Sequence, residues 1–458
     1  MNARNKILAT AVAAACTLLG MSGAADVAVA APQPGVGLTA GHDFAAAAGP
    51  PTSAECVRAL GVACYSPLQV ERAYALPPLY ARGFDGHGRT IVIVDPFGSP
   101  TIRRDLATFD HAFGLPAPPS FRVLQPVGPV PPFDPKNAGM VDNAGETTLD
   151  VEWSHAMAPG AKILLVETPV EETLSGGGFP EYMAAENYVI AHNLGDVISQ
   201  SFSVPEPNFP STSSILRLRY AYRNAYRHHV TVLAAANDFG AAGPTPAGSA
   251  YPYPVVYWPA SDPLVTGVGG TRLHLTTAGV RTSPDTAFND SRNAAVGKLA
   301  GALPWAGGGG LSAVFARPTY QDQVRGTTGN HRGVPDVALS ASLSGGVVAF
   351  ESFTGEPGTW GPVGGTSEAT PEFAGIVAIA DQYAHRRLGL INPALYRLEQ
   401  ERAPGIVDVT KGSNAVSFTL NGKSYAIKGY RAKPGYDLVT GVGTIDAALF
   451  VPELARLR

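Results

Sequence analysis

Four short apolar runs, Thr90-Ile91-Val92-Ile93-Val94, Ala161-Lys162-Ile163-Leu164-Leu165-Val166, Val197-Ile198-Ser199 and Thr231-Val232-Leu233-Ala234, are separated by segments long enough for helices. Runs of that length and apolarity suit strands covered on both faces, and parallel strands need such long connections. The pattern predicts an α/β fold, a parallel sheet flanked by helices. Helical spacing over Ile102 to Phe113, Phe179 to Ala191 and Pro371 to Tyr383 supplies the covering layers. No repeat or second core is evident, so one large domain spanning 65–458 is expected.

With 45% hydrophobic and 15% charged residues and a formal net charge of -4, the chain has the composition of a globular protein. It carries no charge block suited to nucleic acid or an anionic membrane, so neither is an expected partner. Glycine and proline cluster in Gly307 to Gly310 and Pro126 to Pro135, which read as shaped loops. Arg4 and Lys6, the apolar stretch Ile7 to Met21 and Ala28-Val29-Ala30 form a secretory signal over 1–30, too short in its apolar part to span a bilayer. The mature protein is expected to begin near Ala31, to be extracellular, and to keep no membrane anchor. Residues 31–64 read as a mobile leader with no core of its own up to Pro51, ending in a short disulfide loop. Cys16 leaves with the signal, and Cys56 and Cys64 remain as an even pair in an oxidising compartment.

Chemistry concentrates in two motifs. In Gly364-Gly365-Thr366-Ser367-Glu368-Ala369-Thr370-Pro371 the glycines permit a tight turn and Pro371 to Ala380 reads as a helix. Ser367 then sits at a helix N-terminus, where free N–H groups and the helix dipole favour developing negative charge. A lone Gly-Thr-Ser is more often an ordinary cap. A serine nucleophile needs a base, and none of the ten histidines stands in a His-Gly-Thr-His type segment. Glu146-Thr147-Thr148-Leu149-Asp150 offers another: a spacing of four puts two carboxylates on one helical face, where they repel and share a proton. Such a pair is commonly a solvated face, but Leu149, Val151, Trp153 and Ala156 to Ala161 surround this one with apolar or small residues.

In this order the two motifs resemble the sedolisin family of serine-carboxyl peptidases, whose fold is subtilisin-like. Further blocks fit the same pattern: Thr90 to Asp95, Val197 to Ser201, Trp258 to Pro263, Gly267 to Thr271, Gly308 to Ser312, Pro335-Asp336-Val337 and Asn392 to Tyr396. The resemblance implies Ser367 as nucleophile, Glu146 as base and Asp150 as the carboxylate that orients it. Asp238, in Asn237-Asp238-Phe239-Gly240, matches the oxyanion-hole aspartate, which donates a hydrogen bond only while protonated. Asn237 and Phe239 depart from the more usual Gly-Asp-Ser-Gly. The resemblance also implies one structural calcium ion in a C-terminal loop region, held by the side chains of Asp408 and Asp437 and the carbonyls of Val409, Lys433 and Gly435, hard oxygens of the kind Ca²⁺ takes.

The implied activity is endopeptidase action on peptides or proteins at acid pH through an acyl-enzyme, by a monomer. Family members commonly carry a long propeptide domain, and roughly 35 to 45 residues separate the predicted signal from the predicted domain, so a folding chaperone of the usual size, and autoactivation through it, are not expected. Three alternatives stand beside this reading. An α/β-hydrolase would need a second glycine where Ala369 stands. A His-based subtilisin would recruit Asp95 and His155 with Ser367. A catalytically inactive binding protein would not need Glu146, Asp150, Asp238 and Ser367 together.

Overall fold

The computed structural model describes residues 44–300, 304–355 and 357–457. The predicted signal peptide and the leader as far as residue 43 lie outside the described residues. The described residues begin with β1 (Phe44–Ala45), α1 (Ser53–Leu60) and β2 (Ala63–Tyr65). There follow β3 (Thr90–Pro96), α2 (Ile102–Phe113), β4 (Phe121–Leu124), α3 (Ala138–Met157), β5 (Lys162–Thr168), α4 (Phe179–Ala191) and β6 (Val197–Gln200). Then come β7 (Thr231–Ala235), β8 (Thr266–Arg272), β9 (Thr286–Ala287), β10 (Val337–Ser340), β11 (Gly345–Glu351), β12 (Thr359–Val363) and α5 (Thr366–Tyr383).

The four apolar runs are β3, β5, β6 and β7, and they lie side by side. The sheet order is β9-β8-β7-β6-β3-β5-β4, with β10 also on β8. All pairings are parallel except that of β8 with β9. Because side chains alternate along a strand, Ile91 and Ile93 face one core with Leu165, Leu233 and the helical residues Leu149, Trp153, Phe373 and Ile376. Val92 and Val94 face another with Leu164, Ile198 and α4's Phe179, Tyr182 and Met183. This is the helix-flanked parallel sheet expected from the sequence.

On the first face α3 packs against α5. A Cβ on Gly375 would fall 2.7 Å from Met157 Cβ, so the helices approach this closely only because residue 375 has no side chain. At its other side α3 docks on β11: Trp153 Nε1 donates to Val348 O at 3.1 Å and Glu152 Oε2 accepts from Phe350 N at 3.0 Å. The carboxylate-bearing helix is therefore clamped from both sides.

Two expectations differ from the structure. The described part of the leader is folded: β1 pairs with β12, β2 pairs with β11, and Cys56, Cys64 and Tyr65 are buried in the main core. The apolar side chains and paired backbone of this segment find partners only across the chain. The disulfide expected from the cysteine count joins Cys56 to Cys64. The nucleophile helix starts at Thr366, so Pro371 lies inside it and not in its first turn. Proline lacks the N–H that would bond the Ser367 carbonyl, and the first turn is held by tertiary contacts described below. No helix among the described residues is long and apolar enough to cross a membrane.

Candidate active site

Asn137 starts α3 by accepting a hydrogen bond from Met140 N at 3.2 Å, and the helix runs unbroken past both candidate carboxylates. Glu146 is 4% exposed and Asp150 is fully buried. Asp150 accepts from Ser201 Oγ with both oxygens, at 3.0 and 2.8 Å, directly after β6 ends. Burial, then the neighbouring Asp95 and Glu146, push the Asp150 carboxyl well above the usual carboxylate range, against the lowering pull of Ser201. Asp95, buried at the end of β3, is pushed up to about 7, chiefly by burial. The expected pair thus has a third acid beside it, and Asp150 is the member whose charge both Asp95 and Glu146 disfavour.

Ser367 is fully buried in the first turn of α5, after Gly365, whose φ of 115° is open to glycine. Asp238 meets this turn from the loop after β7. Its Oδ1 accepts from Thr366 N at 2.7 Å, and its Oδ2 is buried without a hydrogen-bond partner among the described residues. A Cβ on Gly365 would sit 2.7 Å from Asp238 Oδ2, so glycine is also what lets this carboxyl approach. Burial pushes Asp238 up to about 6, against the hydrogen bonds of Thr366.

The two departures in this loop are absorbed locally. Asn237 adopts a φ of 94°, a region asparagine visits more readily than most residues. Its N–H donates to Thr366 Oγ1 at 3.2 Å and its Oδ1 accepts from Phe239 N at 2.7 Å. Gly308 N donates to Asn237 O at 2.8 Å, where a Cβ would come within 2.0 Å of Ala236 O. The loops Ser201 to Pro210 and Gly307 to Leu311 contribute Glu206, Phe209 and Leu311 to a cavity of about 290 Å³ that Tyr253 and Val256 also line.

His155 is not near this chemistry. Its Nε2 lies 2.8 Å from Pro116 O and 3.3 Å from Asp110 Oδ1, on the side of α3 that faces α2. Burial lowers it to about 4, so it is neutral over most of the pH range. The Asp95, His155 and Ser367 arrangement is therefore not formed. Ser201 and Thr366 are the functional neighbours that sequence reasoning missed: both lie in blocks it singled out, but no local pattern says that their side chains reach Asp150 and Asn237.

At the C-terminal end the two carboxylate loops do meet. Gly435 N donates to Asp408 Oδ2 and Lys433 N to Asp437 Oδ2, each at 2.9 Å. Val409 O lies 3.5 Å from Thr440 Oγ1, which itself approaches Asp437 Oδ1 at 3.2 Å. Lys433 Nζ turns away to Thr327 Oγ1 at 2.9 Å and brings no charge to the loops. A cavity of about 470 Å³ lies against Asp408, Gly435 and Glu399. No cluster of three or more His, Cys, Asp or Glu side chains suited to a metal occurs among the described residues, so a cation here would depend on carbonyls and water beside two carboxylates. That donor set is hard oxygen and fits Ca²⁺ chemically.

A sequence profile of the subtilase family matches residues 137–397, which include α3, the Asp238 loop and α5. The chain belongs to the subtilase family. Kumamolisin from Bacillus sp. (strain MN-32) is 32% identical over 392 residues, covering 83% of this chain and 62% of that protein. Sedolisin from Pseudomonas sp. (strain 101) is 29% identical over 364 residues, covering 78% of this chain and 56% of that protein. The chain thus spans less than two thirds of either relative's length. The solved structure of Pseudomonas sedolisin, a serine-carboxyl proteinase complexed with two molecules of pseudo-iodotyrostatin, superposes with a TM-score of 0.67 at 25% identity, over 85% of this chain and 98% of that one. With these neighbours the chain is a sedolisin-type protein, as its motifs suggested.

Proposed function

We propose that this protein is a secreted serine-carboxyl endopeptidase that cleaves peptides or proteins at acid pH, supported by one structural calcium ion. Ser367 Oγ attacks the scissile carbonyl carbon as Glu146 takes its proton, with Asp150 holding Glu146 in place and in charge balance. The carbonyl oxygen becomes an oxyanion and accepts a hydrogen bond from protonated Asp238 Oδ2. Glu146 returns the proton to the leaving amine, giving an acyl-enzyme, and water repeats the sequence to release the acid. Asp408, Asp437 and the carbonyls of Val409, Lys433 and Gly435 would hold the calcium, which adds charge neutralisation between the two loops.

The observation that carries this reading is Asp238. One oxygen is fixed by Thr366 N–H, one residue before Ser367, and the other is left free to bear the proton. A group pushed to about 6 is protonated on the acid side of that value, while a carboxylate base must be ionised, so both conditions are met only in acid. The test is the pH–rate profile on a denatured protein for wild type, Ser367→Ala, Glu146→Gln and His155→Ala. Activity confined to acid pH and lost in the first two variants is expected. A neutral optimum kept in Glu146→Gln and lost in His155→Ala would overturn the mechanism.

A further inference from the structure

The nucleophile helix carries two carboxyl groups that this chemistry does not use. Glu368 follows Ser367 and Glu372 lies one turn on, and both are fully buried. None of their four carboxyl oxygens has a hydrogen-bond partner among the described residues. Two charges buried there, with the Ser340 hydroxyl as the one donor that acts on Glu368, would be costly, and neutralisation avoids that cost.

The surroundings offer little relief. The loop after β7 contributes Asp238, the segment after β9 contributes Asp290, and β10 contributes the Ser340 hydroxyl; burial first, then these two aspartates, drive Glu368 well above the usual carboxylate range against the pull of Ser340. Burial and then Glu368 do the same to Glu372. Tyr65 on β2 feels Glu368 together with Arg272 at the end of β8 and Asp285, and Tyr74 feels Glu372 with Asp285 and Arg281. Across the helix, α3 brings Glu146 and Asp150, and β3 brings Asp95. No ion pair to Glu368 or Glu372 occurs among the described residues, and the acids outnumber the cations.

We propose that Glu368 and Glu372 are positioning residues, a proton-locked pair that keeps the first turn of α5, and with it Ser367 and Asp238, in place only while both are protonated. Thr366 N–H holds Asp238 in the same turn, so forcing a charge at Glu368 strains the geometry on which the oxyanion acid depends. Because the folded protein binds these protons more tightly than the unfolded chain, stability is greatest below the ordinary carboxylate range and falls as pH rises above it.

The activity arm of the test rests on the peptidase reading; the stability arm does not. Unfolding is followed in denaturant from about pH 3 to 8 in a Ser367→Ala background, with and without Glu368→Gln plus Glu372→Gln. Each group is expected to take up to about tenfold from the folding constant per pH unit above the carboxylate range, a loss that the glutamine pair removes. In the active protein the same double variant inactivates more slowly near neutrality than wild type, so that the two differ less in their loss of activity at about pH 4 than at about pH 7. An unchanged pH slope in a double variant folded at pH 4 overturns the proposal. Should that variant not fold, infrared spectra of the Ser367→Ala protein decide: a protonated-carboxyl C=O band persisting at about pH 6 and reduced in either single glutamine variant supports it, and no such band overturns it. If no peptidase activity is found at any pH, the peptidase reading fails and the pH slope of stability alone decides whether the proton lock exists.

Discussion

Replacing Ser201 by alanine removes the hydroxyl donor that reaches Asp150 at 2.8 and 3.0 Å without touching Ser367 or Glu146. A hydrogen bond to a charged group contributes about 1.5–3 kcal/mol. About 1.4 kcal/mol is a factor of ten in a protonation equilibrium, so the bond favours the ionised form of the acid system, against the burial that raises Asp150, by roughly tenfold to a hundredfold. The neutral acid also accepts hydrogen bonds, which favours the lower end. Losing the bond raises the pKa of the coupled acids, and their ionised form then appears only at higher pH. The acid limb of kcat/KM should move up by about one unit, so that well below the limb the variant is about tenfold slower than wild type. The alkaline limb, set by Asp238 on another element, should stay. Ser201→Thr keeps a hydroxyl and should restore much of the profile. The assay is kcat/KM against pH on a fluorogenic peptide, with unfolding midpoints as a control. A uniform loss at every pH, or no shift of the acid limb in a stably folded variant, would refute the assignment of Ser201 to the carboxyl system.

Asp238→Asn keeps a donor at every pH, so the alkaline limb that wild type should show near the Asp238 value of about 6 is expected to move upward; Asp238→Ala should instead cost about 10²–10³-fold in kcat, and equal profiles for the two variants would contradict the oxyanion role. Chelator should lower the melting temperature of wild type but not of Asp437→Asn, since an ion bound only to the folded state stabilises it by mass action; indifference of the wild type to chelator would rule calcium out. Cys56 and Cys64 are eight residues apart, so opening the bond in a Cys56→Ser plus Cys64→Ser variant should cost about 2.5 kcal/mol on chain-entropy reasoning, read from urea unfolding. A loss near zero would mean that packing of α1 on β2 already restrains this loop.

The order of the chain's own chemistry decided what was readable in advance. Contiguous patterns identified β3, β5, β6 and β7 because each strand is buried on both faces and reads as one apolar run. The spacing from Glu146 to Asp150 is likewise a local fact, converted to a shared face by the helical repeat. Helices α2 and α4 keep the ends expected from their periodicity. The start of α5 did not, because its first turn is fixed by Asp238, 128 residues away from Thr366. Ser201 reaches Asp150 across 51 residues, and β1 and β2 find their strand partners only in β12 and β11. Those contacts depend on which segments the sheet brings together, and so do the desolvation that raises Asp95, Asp150 and Asp238 and the like charges that add to it at Asp95 and Asp150. The sequence alone determined the layers, the carboxylate spacing and the serine at a helix start; the tertiary structure decided which acids are neutral, because burial and proximity across the chain set the cost of each charge.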